Sequence, residues 1–381
     1  MNAERLVTII DFLLASEKAN QIQNGISGLN DALNQMVSQP NSPDFQKNVA
    51  AAVDKLENSF ASFFSKITPS QKKDILEIKG TQFFSPVVTD DIRALIQKNA
   101  MTPAVIQQRA GTLLSQRNEY IESLRATSAN LKKLGITPEK LQPGQTEIGI
   151  LIPRDLFNND FEGLNKELRN IIFILRSFYE ASNVTPGPME VRDISTSDPT
   201  FFLGIDITVL VHLGHAVRWC IDVIGTTLKL REVVEMARKV EVNPKAIEIM
   251  NEGIKTDIDK RIEEKVLELM GKYAGPADRK SHVEDSLSRA MNMLLERVER
   301  GVTIDIRLIP PPKPAEGDQD AQATQNIFDE LQKISQRLEY PQIQGQPTLR
   351  LTSVESENPP AKISPAKSHP AKTPPPDKPK N

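Results

Sequence analysis

The spacing of apolar positions changes twice along this chain, and each change marks a boundary. From the N-terminus to about Gly135 the spacing is helical throughout. Leu6, Ile9, Ile10, Leu13 and Leu14 give the first helix a single apolar stripe. Asn41-Ser-Pro43 is a helix-start signal, and Val49, Val53, Leu56 and Phe60 carry the helical period on from it. Thr68-Pro-Ser-Gln71 opens a short helix through Ile75 and Ile78. Gly80 to Val88 reads as a loop anchored by Phe83 and Phe84. Thr102-Pro103 then starts a long helix, with the proline in a first turn where no amide donor is needed. Residues 1–138 are expected to form a helical bundle.

Past a joint punctuated by Pro138, Pro143 and Gly144, a two-residue period appears. Ile148, Ile150 and Ile152 alternate along a buried strand closed by Pro153. Asp160 caps a helix with Leu164, Leu168, Ile171, Ile172, Leu175 and Phe178 on one face. Met189 to Ile194 gives a second strand whose alternation breaks at Asp193, as at a bulge. Strand, helix and strand at this length fit a βαβ unit with parallel strands and a right-handed crossover. Phe201 to Ile207 is a candidate third strand. From Thr208 to about Glu241 runs the longest helix, with a seam of Leu210, Gly214, Val217, Ile221, Ile224 and Leu228.

Asn243-Pro244 resets the chain into a helix with Ile254, Ile258, Ile262 and Val266 on one edge. After Gly275-Pro276, Ser281-His-Val-Glu284 has the form of a capping box, and Leu287, Met291, Leu294 and Val298 follow at coiled-coil steps. The two charged helices resemble an antiparallel hairpin. Gly301 is placed as a C-terminal cap ahead of a strand from Val302 to Leu308. The strands, near 146–152, 189–194, 201–207 and 302–309, define an α+β module over 146–309. The chain as a whole is α+β and predominantly helical, with a small sheet covered by helices.

The remainder is simpler. Residues 310–355 read as a linker with one short amphipathic helix from Asn326 to Leu338 and an edge strand near Pro347 to Leu351. From residue 356 to 381 proline and lysine dominate, with Pro-Ala-Lys at 360–362, 365–367 and 370–372. So few apolar residues do not offset the entropy of ordering, so a disordered tail is expected.

Composition narrows the function more than it defines it. A chain of 381 residues with net charge −3 has room for two or three domains and no overall field that points to nucleic acid. Cys220 is the single cysteine and forms no internal disulfide, which fits a reducing, cytoplasmic setting. The helix from Thr208 is interrupted by His212, His215, Arg218 and Asp222, which argues against a transmembrane span.

The best candidate chemistry lies opposite that helix's seam. His212, His215, Trp219 and Asp222 fall in one sector of the helical wheel. Two imidazoles and a carboxylate are metal-ligand types, and equally a base with an orienting acid. No third metal ligand has suitable spacing, and Arg218 is positioned to neutralise Asp222 at i+4. A contact face for a protein partner or a second copy fits these residues better, because tryptophan anchors many interfaces. No phosphate loop, metal motif or cofactor signature stands beside them, so no cofactor is expected.

The leading expectation is therefore a non-enzymatic protein–protein interaction or regulatory component. Two alternatives stand beside it. One is a nucleic-acid or membrane-surface accessory factor acting through the Lys/Pro tail or the N-terminal amphipathic helix. The other is an enzyme using the His/Asp face of the helix over 208–241.

Overall fold

The computed structural model describes residues 3–99, 102–138, 141–195, 199–240, 243–271, 273–312, 314–315, 318–341, 347, 349 and 351–354. The tail over 356–381 lies outside the described residues. The protein is predominantly helical, with twelve α-helices and one antiparallel four-stranded sheet among the described residues.

The first seven helices are α1 (Ala3–Asn20), α2 (Ile22–Ser38), α3 (Pro43–Phe64), α4 (Pro69–Glu77), α5 (Thr81–Phe84), α6 (Val87–Lys98) and α7 (Pro103–Lys133). Pro43, Pro69 and Pro103 each stand in a first turn. Thr68 and Gln71 form a reciprocal capping box at α4. The apolar stripe of α1 faces inward: Ile9, Ile10 and Leu13 join a core with Leu29, Leu56, Phe60 and Ile121. Gly25 lets α2 and α3 approach closely, since a Cβ there would stand 3.0 Å from Leu56 Cδ1. The expected loop at Phe83 and Phe84 is the short α5, with both rings buried.

Arg117 is fully buried in this bundle and is held on every side. Its guanidinium donates to Phe83 O at 3.1 Å, to Gln23 Oε1 at 2.8 Å and to the Glu17 carboxylate, and it lies over the Phe84 ring. A buried charge with every nitrogen bonded and a carboxylate beside it is tolerable; the same charge unpaired is not.

The second unit contains β1 (Thr146–Leu151), α8 (Phe161–Ala181), β2 (Glu190–Ser195), β3 (Thr200–Gly204), α9 (Ile207–Lys239), α10 (Pro244–Met270), α11 (Lys280–Glu299), β4 (Thr303–Leu308) and α12 (Gln319–Ser335). Its sheet order is β2-β3-β1-β4, and every neighbouring pair is antiparallel. This corrects the expected parallel βαβ unit. β2 and β3, consecutive in the chain, pair antiparallel, and β3 inserts between β2 and β1, so the strands flanking α8 never pair. The bulge falls where the alternation broke, between Val191 and Asp193.

Three further boundaries move. β3 ends at Gly204, because Asp206 caps α9 by accepting from Thr208 N at 2.8 Å. The capping box at Ser281 does not form. A 3-10 turn over Ala277–Arg279 leads directly into α11, leaving Ser281 inside the helix. Of the segment expected as an edge strand, the described residues 347, 349 and 351 are not in a strand.

Register sorts the sheet into two faces. Ile148 lies between Leu203 and Ile306, and Ile150 between Phe201 and Ile304. These pack with α8, α9 and α11 in one core. The α9 seam joins it: Leu210 and Val217 are fully buried, with Ile221 and Ile224 nearly so. By length and composition α9 would suffice to cross a membrane, and 61% of its apolar window is buried within the fold. The amphipathic helix of the expected linker is α12, which packs Leu331 and Ile334 into the same core. Gly214 admits it, as a Cβ there would meet Ile334 Cγ2 at 2.9 Å.

Candidate functional site

The four residues of the α9 face do not share one environment. His212 Nδ1 lies 3.1 Å from Thr208 O and 2.9 Å from Ser182 Oγ, so either tautomer finds a partner at the C-terminal end of α8. His215 Nε2 is 2.9 Å from Glu330 Oε1 on α12, at a half-exposed position. Trp219 is partly buried against the main core, and Asp222 is exposed. The structure thus directs the two imidazoles to two different neighbouring helices. Among the described residues no three His, Cys, Asp or Glu side chains gather as a metal site. Cys220 is fully buried, and burial pushes its thiol above the usual range, which keeps it protonated.

The most heavily built polar site lies elsewhere, between α8 and α11. Arg297 of α11 is buried and donates to both oxygens of the buried Glu167 on α8, as well as to Met293 O. Around this pair stand Asn170, Glu296 and Glu299, all buried. Groups this polar at the core's edge need partners, and the C-terminal segment 349–354 supplies them.

The backbone of that segment is gripped almost entirely by side chains. Leu349 N donates to Glu299 Oε2 at 3.0 Å, while Arg300 donates to Leu349 O. Thr352 N and Oγ1 both donate to Glu296 Oε2, at 2.7 and 2.8 Å, and Arg297 donates to Thr352 O at 3.0 Å. Val354 N and Ser353 Oγ donate to Asn170 Oδ1, at 3.0 and 3.2 Å. Arg289 reaches the carbonyls of Ser353 and Val354. Leu349 and Val354 lay their side chains against the core, whereas Leu351 is exposed. Burial pushes the Glu296 carboxyl above its ordinary value, while the hydrogen bonds from Thr352 and the charges of Arg297 and Arg300 pull it back.

A second feature is the cleft between the bundle and the outer sheet face, of about 1030 Å³. Arg5 of α1 spans it. It donates to Asp74 at 3.1 Å and Ser70 at 2.6 Å, and its guanidinium lies 3.6 Å from Asp305 of β4. Phe202 lies beneath both Arg5 and Arg307, with centroid distances of 5.4 and 4.6 Å. Phe202 fits because its cross-strand neighbour is Gly149, where a Cβ would come within 2.7 Å of the ring. Arg307 in turn pairs with Glu147 at 2.6 Å. Two arginines here face three carboxylates, and Asp305 Oδ2 is met by Arg5 only at ion-pair distance, so the cleft reads as a polar joint between two units.

Periodicity passed over the α8–α11 groove because an irregular extended segment has no period. A weak signal existed: Glu167, Asn170 and Ser177 form a polar file beside the apolar face of α8. Comparison with protein-family models, with curated proteins and with solved structures returns no match for this chain.

Proposed function

We propose that this protein is a non-enzymatic interaction or regulatory component, and that its working surface is the groove between α8 and α11. The observation that carries the proposal is the capture of Leu349, Thr352 and Val354 through their backbone by Asn170, Glu296, Arg297 and Glu299. Main-chain hydrogen bonds from a fixed groove, with apolar anchors at intervals, are how peptide-recognition domains hold an extended ligand. The buried ionisable groups are occupied in holding a chain segment, an arrangement suited to recognition. A cytoplasmic setting belongs to the proposal and rests on Cys220 as the single cysteine.

The accessory-factor alternative loses its N-terminal support, because the α1 stripe is consumed in the bundle core. The test is a random-peptide selection on immobilised full-length protein, beside a thermal-shift screen of nucleotides, metals and nucleic acids. Enrichment of peptides that bind the folded chain in solution is expected. A screen hit among nucleotides, metals or nucleic acids, with no peptide enriched, would overturn the proposal.

A further inference from the structure

The segment 349–354 is held like a ligand, although it belongs to the chain. Its N–H and C=O groups at Leu349 and Thr352, and those at Val354, are met by side chains that α8 and α11 present from fixed positions. Side-chain recognition falls at four of the described residues, one of them Ser353, whose hydroxyl donates to Asn170 Oδ1 at 3.2 Å. Leu349 and Val354 pack on the core, and the Thr352 hydroxyl donates to Glu296. Beside Thr352 and Ser353 the described residues line a hollow of about 850 Å³, with Phe173, Arg176, Glu180, Asp285 and Arg289 along its walls. Arg289 stacks over Phe173 at 5.0 Å and so borders both the occupied and the open part. The strap is therefore bordered by solvent-accessible space along which another chain can enter.

We propose that this groove binds extended peptides with an apolar residue, a threonine three positions later, a hydroxyl-bearing residue next to it and an apolar residue after that. The chain's own 349–354 is then a tethered occupant, which a peptide of the same chemistry displaces. This rests on the interaction reading above and adds the ligand's pattern and the built-in competitor. Tethering matters quantitatively. A segment joined by a short linker faces its groove at an effective concentration in the millimolar range, so a free peptide competes poorly until the strap is released. Any event that frees the strap, proteolysis or binding of the tail among them, opens the groove to a partner.

The experiment keeps the full chain. A site-specific protease sequence is placed between Pro341 and Pro347, the protein is purified folded, and half is cut. A fluorescent peptide matching 347–356 is then titrated into cut and uncut protein, with circular dichroism following the fold. Displacement of the C-terminal fragment from the cut protein with the fold retained is expected. The uncut protein should need at least about tenfold more peptide. A peptide carrying Thr352→Pro, lacking both the amide donor and the hydroxyl, should bind about tenfold more weakly or worse. If the fragment leaves only when the whole protein unfolds, the strap is a fixed part of the core and the proposal falls. If a scrambled peptide displaces it equally well, the stated pattern falls. In either case the peptide selection still decides the interaction reading independently.

Discussion

Arg297 and Glu167, 130 positions apart in the sequence, form a charge pair with side chains 1% and 5% exposed that joins α11 to α8. The pair binds α11 to α8 and also orients Arg297 toward Thr352 O. Fold and groove therefore share one charged group. Breaking such a pair leaves an uncompensated buried charge, at a cost of about 3–5 kcal/mol. Arg297→Ala is expected to lose that much in urea denaturation. Arg297→Met combined with Glu167→Leu removes both charges and should recover most of it, since replacing a whole buried pair with apolar groups is often neutral. What the double variant does not recover measures the other bonds of the two side chains together, to Thr352 O, Met293 O and Asn170 Nδ2. A double variant no better than Arg297→Ala would show that the pair does not dominate the site.

The α9 seam makes a second prediction. Ile221 is 8% exposed and packs within the same core as the sheet. Ile221→Asp introduces a carboxylate with no partner there, at a cost of several kcal/mol or more. Loss of soluble expression is expected. Normal yield with an unchanged melting temperature would mean the seam tolerates a charge.

Much of this architecture was legible because burial imposes a period. The alternation of Ile148, Ile150 and Ile152 placed β1 correctly, and the break at Asp193 marked a real bulge. Strand order was not legible, since parallel and antiparallel pairings give the same alternation. The antiparallel pairing of β2 with β3 decides it, and no single-strand pattern contains that. The candidate site divides similarly. A wheel projection put His212, His215, Trp219 and Asp222 in one sector, and it carried no information on what covers that sector. Ser182 and Glu330 arrive from elements 30 and 115 residues away. Asn170 and Glu296 were invisible as partners of the strap, because polar helix positions ordinarily face solvent and the groups they bond lie in an unpatterned segment.

His215 and Glu330 supply a third prediction. The two side chains are 40% and 46% exposed, and a pair so open to solvent contributes little. His215→Ala is expected to change stability by less than about 1 kcal/mol. A larger loss in urea denaturation would show that the imidazole does more than tie α9 to α12.

The cleft joint predicts a pH dependence. Burial raises the Asp74 carboxyl above its ordinary value in spite of Arg5, and raises Glu147 in spite of Arg307. In the unfolded chain such carboxyls titrate near about 4. A folded pKa above the unfolded one means the native state holds the proton more tightly. The contribution to stability is then fully present below the unfolded pKa and is lost as pH rises through the folded one. Asp74→Asn removes this titration. Wild type should therefore gain on Asp74→Asn as pH falls from 7 toward 4, in urea denaturation at each pH. A difference that moves the other way would show that attraction to Arg5 outweighs burial.

Two truncations separate the strap from the tail behind it. A chain ending at Glu355 keeps every contact described for 349–354, and the 356–381 composition offers no apolar anchor after Ile363. Its melting temperature should match the full chain's. A chain ending at Pro341 removes the bonds that Asn170, Glu296, Arg297 and Glu299 make to Leu349, Thr352 and Val354. Each unsatisfied buried group costs about 1–3 kcal/mol, reduced wherever water enters the vacated groove. A loss of several kcal/mol is expected, with added peptide 347–356 restoring part of it by mass action. Equal stability of the two truncations would mean that the groove groups are satisfied without the strap. A deficit that no peptide repairs would mean that the segment has to be in place when the chain folds.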